Sequence, residues 1–199
     1  MKKREIIITQ DGSTSIHLPD WNESYHSKHG AIQEAYHVFI KNGLALFQHK
    51  PVAILEIGFG TGLNAFITFL ESNKSNQIID YVGVEAFPVS AEEVLQMNYV
   101  QKLDAENDFD VFEKMHRTSW EQKNEIAPNF MLTKRKQFFQ DIDDKNAFDL
   151  IYFDAFGFRV QPELWNFKIF EKMYKALKNN GVLVTYACRT SIKKAMLEA

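Results

Sequence analysis

Three glycines at alternate positions, Gly58, Gly60 and Gly62, stand between a run of branched apolar residues and a helix-compatible segment. No other feature constrains the fold of this chain as much. Val52 to Ile57 suits a parallel strand buried on both faces, and Leu63 to Leu70 suits the start of a helix. Strand, glycine turn and helix in that order leave bare backbone above the strand's carboxyl end, where a ligand can approach closely. The spacing is G-x-G-x-G and differs from the G-x-G-x-x-G of dinucleotide binders. Glu56 precedes the first glycine; an acid there is poorly placed beside a pyrophosphate and suits a cationic ligand. The plain alternative is a tight turn without a ligand, and three alternating glycines exceed what such a turn needs.

The 199 residues, 45% apolar and 14% aromatic, suffice for one domain with a full core. A net charge of −3 creates no global field for nucleic acid, so any RNA contact requires a local basic patch. Cys188 is the single cysteine, which excludes an internal disulfide and suits a reducing compartment. No apolar run approaches the roughly 20 residues of a membrane span, and the start Met1-Lys2-Lys3-Arg4 does not lead into a signal-type apolar stretch. The expected location is the cytoplasm, away from membranes. Six histidines without ligand spacing lead to the expectation of no metal.

The pattern along the chain predicts an α/β fold with a doubly wound parallel sheet. Residues 1–50 are expected to form an extension packed on a core of residues 51–199, one domain overall. Asp11-Gly12 marks a hairpin turn within 4–18, and Ile32 to Phe47 has helical spacing. The core is expected as strand 52–58, helix 62–73, strand 79–86 and a helix capped by Ser90. An irregular or helical insertion over 103–128 is expected next, followed by strands at 130–139 and 148–154. Helix 163–178 opens with Pro162 and stops at Asn179-Asn180-Gly181; strand 181–187 and a helix from about Ser191 complete the pattern. Sheets of this kind normally gain two more strands, the last antiparallel; their absence implies a truncated strand pair or an unfilled sheet edge.

Three acids follow predicted strands. Glu85 stands where an acid in doubly wound folds accepts hydrogen bonds from ribose hydroxyls. Asp141 is either an acceptor for an adenine amino group or an ordinary loop residue beside Asp143 and Asp144. Asp154, followed by Phe156 and Phe158, either takes the proton of an amine nucleophile or caps the next helix. Trp165 is either core or cleft. Basic residues such as Lys134, Arg159 and Arg189 are candidates for phosphate contacts and, one by one, also ordinary surface charges.

Several segments together carry a resemblance: Tyr25-His-Ser-Lys-His-Gly-Ala-Ile-Gln-Glu34 with Val38-Phe39, Glu56 to Asn64, Glu85-Ala-Phe-Pro88, Asp154-Ala-Phe156, and Gln161-Pro-Glu-Leu-Trp165. In this order they resemble the methyltransferase domain of the tRNA wobble-uridine modifying family MnmC. The resemblance implies a class I, Rossmann-like methyltransferase. Its methyl donor would be S-adenosylmethionine, and its substrate 5-aminomethyl-2-thiouridine at the wobble position of tRNA, which becomes 5-methylaminomethyl-2-thiouridine. It places Glu56, Gly58, Gly60, Gly62, Asn64, Glu85 and Asp141 at the cofactor. It gives Asp154 the catalytic role and sets Tyr25, Glu34, Phe156, Trp165 and Arg189 around the substrate. The family's fused flavin-dependent oxidase has no counterpart in these residues, and Arg189-Thr190-Ser191 replaces its usual Lys-Gly-type turn. An aminopropyltransferase related to spermidine synthase and a non-catalytic cofactor- or RNA-binding module are the competing readings.

Overall fold

The computed structural model describes residues 3–199, so the first two residues of the N-terminal extension lie outside it. The chain opens with a small antiparallel sheet of β1 (Glu5–Ile8), β2 (Thr14–Leu18) and β3 (Glu23–Ser24). The Asp11 carboxylate ties its hairpin turn, accepting hydrogen bonds from the Ser13 backbone and from Thr9. The expected helix over 32–47 is present but broken: α1 (Ala31–Ala35) runs into a π-helical turn, Tyr36–Lys41, and then a 3₁₀ turn, Leu44–Phe47. Gly43 causes the second break, since a side chain there would collide with the Phe39 carbonyl.

The core sheet has six strands: β4 (Val52–Ile57), β5 (Ile79–Val84), β6 (Lys123–Ala127), β7 (Phe130–Arg135), β8 (Phe148–Phe153) and β9 (Leu177–Val184). Their spatial order is β6-β7-β5-β4-β8-β9, parallel throughout except for the antiparallel β6. The order reverses between β4 and β8, which is where doubly wound sheets open a crevice beyond the strands' carboxyl ends. Along β4 the pleat sends Ile54 and Glu56 to one face and Leu55 and Ile57 to the other.

The first face carries α2 (Leu63–Lys74) and α5 (Phe109–Arg117), whose Phe66, Phe69 and Phe112 pack on Ile54, Tyr81 and Tyr152. On the second face, α6 (Phe167–Ala176) and α7 (Thr190–Glu198) bury Phe170, Met173 and Ile192 against Leu55, Val84 and Phe153. Each such side chain contributes about 1.5–3 kcal/mol when fully buried. The short helices α3 (Ala91–Val94) and α4 (Tyr99–Lys102) lie between β5 and α5. The α3 start is the expected cap at Ser90, with Glu93 closing a capping box.

Two expectations are corrected. The segment 103–128 contains, besides α5, the edge strand β6, whose polar sequence Lys123-Asn-Glu125 belongs to a strand with one solvated face. Gly181 does not stop α6. The helix ends at Ala176 because Leu177 is already extended and pairs with Phe148, while Asn146 and Ala147 N–H groups take the last helical carbonyls. The left-handed residue is Asn180, inside β9, where the register to β8 shifts. As the sheet stands, β9 and β6 form its edges. No helix among the described residues is long and apolar enough to cross a membrane.

Candidate active site

The carboxyl ends of β4, β5 and β8 meet above the switch point. Beyond β4, the N–H groups of Gly58 and Phe59 both bond to the Val84 carbonyl, which folds the glycine turn back over β5. The Phe59 ring, buried, fills the space that a side chain on Gly83 would need. Gly58 has φ +93°, and a Cβ there would lie 2.6 Å from the Asp154 carbonyl oxygen. Gly60 has φ +48° and presents bare backbone to the cleft. Gly62 starts α2 and backs onto His116, outside the cleft lining.

Glu85, after β5, clamps this turn: Oε2 accepts from Gly60 N–H at 3.1 Å and Oε1 from Phe87 N–H at 2.9 Å. Burial pushes its carboxyl up in spite of these bonds. Asp154, after β8, donates its own N–H to the Ile57 carbonyl. Its side chain caps no helix, because the next helical turn begins at Pro162 behind Gln161, and the capping alternative is excluded.

The centre of the site is Asn64, in the first turn of α2. Its Nδ2 donates to Glu56 Oε1 at 3.0 Å and to Asp154 Oδ2 at 2.9 Å, so one amide bridges two carboxylates. Glu56 and Asn64 are 1% and 4% exposed, and Glu56 Oε2 and Asn64 Oδ1 have no hydrogen-bond partner. Burial raises Asp154 to about 7, with the Glu34 charge adding to the rise and the Asn64 bond opposing it. Burial, then repulsion from Asp154, holds Glu56 well above the usual carboxylate range.

Two cavities adjoin these residues. The larger, about 1320 Å³, is floored by Glu56, Gly58, Gly60, Asn64 and Glu85. Its far wall comes from the N-terminal extension: Arg4, Trp21, Tyr25 and His26. Its rim holds Phe87 and Phe138, edge to face at 5.9 Å. The smaller, about 250 Å³, is lined by Glu23, Glu34 and Tyr186. Tyr25, His26, Asp154, Ala155 and Phe156 border both. Tyr25 and Phe156 meet edge to face at 5.0 Å. Burial lowers His26 to about 4, which keeps its ring neutral beside Ser15.

Three expected residues stand elsewhere. Asp141 is exposed on a 3₁₀ turn whose neighbours Phe138, Phe139 and Gln140 line the cleft in its stead. Trp165 is 2% exposed and packs on Phe153, Phe170 and Tyr186. Its Nε1 donates to the Phe156 carbonyl at 2.8 Å, so it supports the cavity wall from behind. Arg189 is exposed and lies over the Phe158 ring, lining neither cavity. Arg4, Trp21 and Tyr186 were not anticipated. Arg4 reaches the site through bonds to Glu93 and the Phe87 and Pro88 carbonyls, more than 80 residues away in sequence, and no local motif signals such a contact.

A doubly wound sheet with an E-x-G-x-G-x-G turn and an acidic floor at its switch point defines a Rossmann-like, nucleoside-binding transferase of the methyltransferase class. A family model described as S-adenosyl-L-methionine-dependent methyltransferase matches residues 99–199, and the chain belongs to that family. It is 26% identical over 205 residues to an uncharacterized protein of Methanocaldococcus jannaschii, across all of this chain and 54% of that protein. It is also 26% identical over 203 residues to the tRNA 5-methylaminomethyl-2-thiouridine biosynthesis bifunctional protein MnmC of Idiomarina loihiensis, covering 88% of this chain and 32% of that protein. The chain thus spans about half or less of these curated relatives. Among solved structures, MNMC2 from Aquifex aeolicus superposes with a TM-score of 0.74 at 22% identity, covering 99% of this chain and 64% of that one. Spermidine synthase from Thermotoga maritima superposes with a TM-score of 0.54 at 14% identity, covering 98% and 57%. At these identities the two structures establish a shared fold.

The residues present fit S-adenosylmethionine. Its adenosine needs a backbone-lined turn with an acid beyond the second strand, and its positive charges need anionic partners. Glu56 Oε2, buried and without a hydrogen-bond partner on the cleft floor, would be such a partner.

Proposed function

We propose that this chain transfers a methyl group from S-adenosylmethionine to the primary amine of 5-aminomethyl-2-thiouridine at the tRNA wobble position, yielding 5-methylaminomethyl-2-thiouridine. The observation that carries the reading is Asp154, which borders both cavities and sits beside the Glu56–Asn64 pair on the cleft floor. The similarity to MnmC supplies the substrate class.

The bound cofactor would supply an electrophilic methyl group on a sulfonium that departs as a neutral thioether. In this reading Gly58 and Gly60 let backbone approach the donor, Glu85 accepts from the ribose hydroxyls, and Glu56 with Asn64 holds its charged end. Tyr25 and Phe156 flank the uracil, while Asp154 orients the amine and accepts the proton it must lose. A carboxyl near 7 is matched to that task at neutral pH. Alignment of nitrogen, methyl carbon and sulfur supplies much of the remaining acceleration. Residues 3–50 and the core act as one unit, since both line the cleft. A tRNA substrate and the lone free cysteine, Cys188, suit a cytoplasmic enzyme.

The test is incubation with methyl-labelled S-adenosylmethionine, and in parallel with its decarboxylated form labelled in the aminopropyl chain, and three acceptors: tRNA carrying the aminomethyl nucleoside, tRNA lacking it, and putrescine. Label should enter the first alone. Label in putrescine, or in none of the three, would overturn the reading.

A further inference from the structure

Glu56 and Asp154 together present four carboxylate oxygens, yet the Asn64 amide supplies one N–H to each residue. Neither carboxylate takes part in an ion pair among the described residues. The ionisable groups around them add no positive charge. They are Glu34 from α1, Tyr25 and the neutral His26 after β3, Tyr81 from β5, Tyr152 from β8, Glu85 beyond the glycine turn, and Tyr186 after β9. Of the cations lining the same cleft, Arg4 is paired with Glu93 and Lys136 is exposed. Buried Glu56 and half-buried Asp154 share one amide, with only the neutral Tyr81 hydroxyl beside Glu56, and no cation compensates them. At neutral pH the pair without a cationic ligand therefore holds a proton; burial lifts both groups, with Asp154 adding to the rise of Glu56 and Glu34 to that of Asp154.

We infer that seating a cation in the large cleft, against the unpartnered Glu56 Oε2, discharges this proton to solvent and leaves Asp154 as a carboxylate facing the smaller cavity. Asn64 acts as the positioning residue: its two N–H bonds are both made when both groups are ionised. The O–H bond of the protonated carboxyl breaks, the proton leaves through the open cleft, and no other bond changes. Donor binding then prepares the group that receives the amine, and by linkage donor affinity rises with pH. The inference rests on the proposed reading that the large cleft takes S-adenosylmethionine.

Calorimetry of S-adenosylhomocysteine, which carries the ammonium but no transferable methyl, tests it in buffers of different ionisation enthalpy. Near pH 7 the protein should release a substantial fraction of one proton per ligand, and below that the affinity should rise by up to about tenfold per pH unit. Asp154→Asn, nearly isosteric, should bind the ligand and release at most half as many protons. Asn64→Ala should also release fewer, with its fold checked by a melting curve; if that variant does not fold, Asp154→Asn decides. Binding without buffer dependence, or full release retained in Asp154→Asn, would overturn the inference and leave the proposed function standing. Absence of binding by the wild-type protein would remove both.

Discussion

Asn64 lies between two carboxylates that the chain separates by almost a hundred residues, and Asp154 is where the consequences can be measured. Its ordinary value is 3.8, and burial raises it to about 7. Between these values the folded protein holds a proton that the unfolded chain does not, so stability declines as pH rises through this window and levels off above about 7. Asp154→Asn removes that term. Its melting temperature should match wild type at about pH 4 and exceed it at about pH 8, by the equivalent of roughly 1–3 kcal/mol. The same variant should retain cofactor affinity while single-turnover methylation falls by a factor of order 10²–10⁴. The wild-type limb rising toward pH 7 should vanish with it. A variant with normal turnover would remove Asp154 from the mechanism. For Glu85→Ala, the loss of charged acceptors for Gly60, Phe87 and the proposed ribose should weaken S-adenosylmethionine binding by roughly tenfold or more; an unchanged dissociation constant would make Glu85 a turn residue alone. The position of Glu85 was legible in sequence because it directly follows the end of β5. The place of Asp141 was not legible, because on a 3₁₀ turn adjacent residues point in different directions, and there Phe138, Phe139 and Gln140 line the cleft while Asp141 is exposed.

At the scale of elements, the β4–turn–α2 unit was readable almost to the residue. Its strand is buried on both faces and its glycines leave few alternative conformations. A substitution there has a defined expected outcome. Gly60→Val puts a branched side chain at φ +48°, facing Tyr25 at 3.1 Å from the Cβ position. Binding of S-adenosylmethionine should be lost, with a stability cost of order 1–3 kcal/mol, as read by calorimetry and thermal melting. Binding equal to wild type would show that the turn does not meet the ligand. The helix ends and β6 were less legible. α6 stops where β9 begins to pair, and a pairing partner about thirty residues away is not visible in a local pattern. Trp165 illustrates the same limit, since its spacing suits either core or cleft and only packing chose the core. Trp165→Phe keeps one aromatic ring, gives up part of the buried indole volume and deletes the bond to the Phe156 carbonyl. It should cost about 1 kcal/mol and raise the acceptor KM while leaving cofactor affinity unchanged.

Across the whole molecule, the N-terminal sheet is stitched to the core by polar contacts. Asn98 accepts from the Thr14 backbone and donates to the Gly12 carbonyl, and Arg159 donates to the Trp21 and Asn22 carbonyls. A ligand that spans both walls should stabilise the entire fold. At a hundredfold excess over its dissociation constant, S-adenosylhomocysteine should add about 2.7 kcal/mol, a rise in melting temperature of roughly 5–10 °C. NAD under the same conditions should give no shift; a shift with NAD alone would contradict the glycine-spacing argument. By itself the sequence determined the doubly wound class, the glycine turn behind Glu56 and the acids Glu85 and Asp154 after their strands, because these depend on periodicity and on residues adjacent in the chain. Only the tertiary structure decided that Asn64 joins Glu56 to Asp154, that Arg4 and Trp21 close the cleft, and that Trp165 stands behind its wall. The Asn64–Asp154, Arg4 and Trp21 contacts span 80 to 140 residues, and the Trp165 contacts, though nearer in sequence, join different elements; all form because burial and hydrogen-bond satisfaction are optimised over the folded chain as a whole.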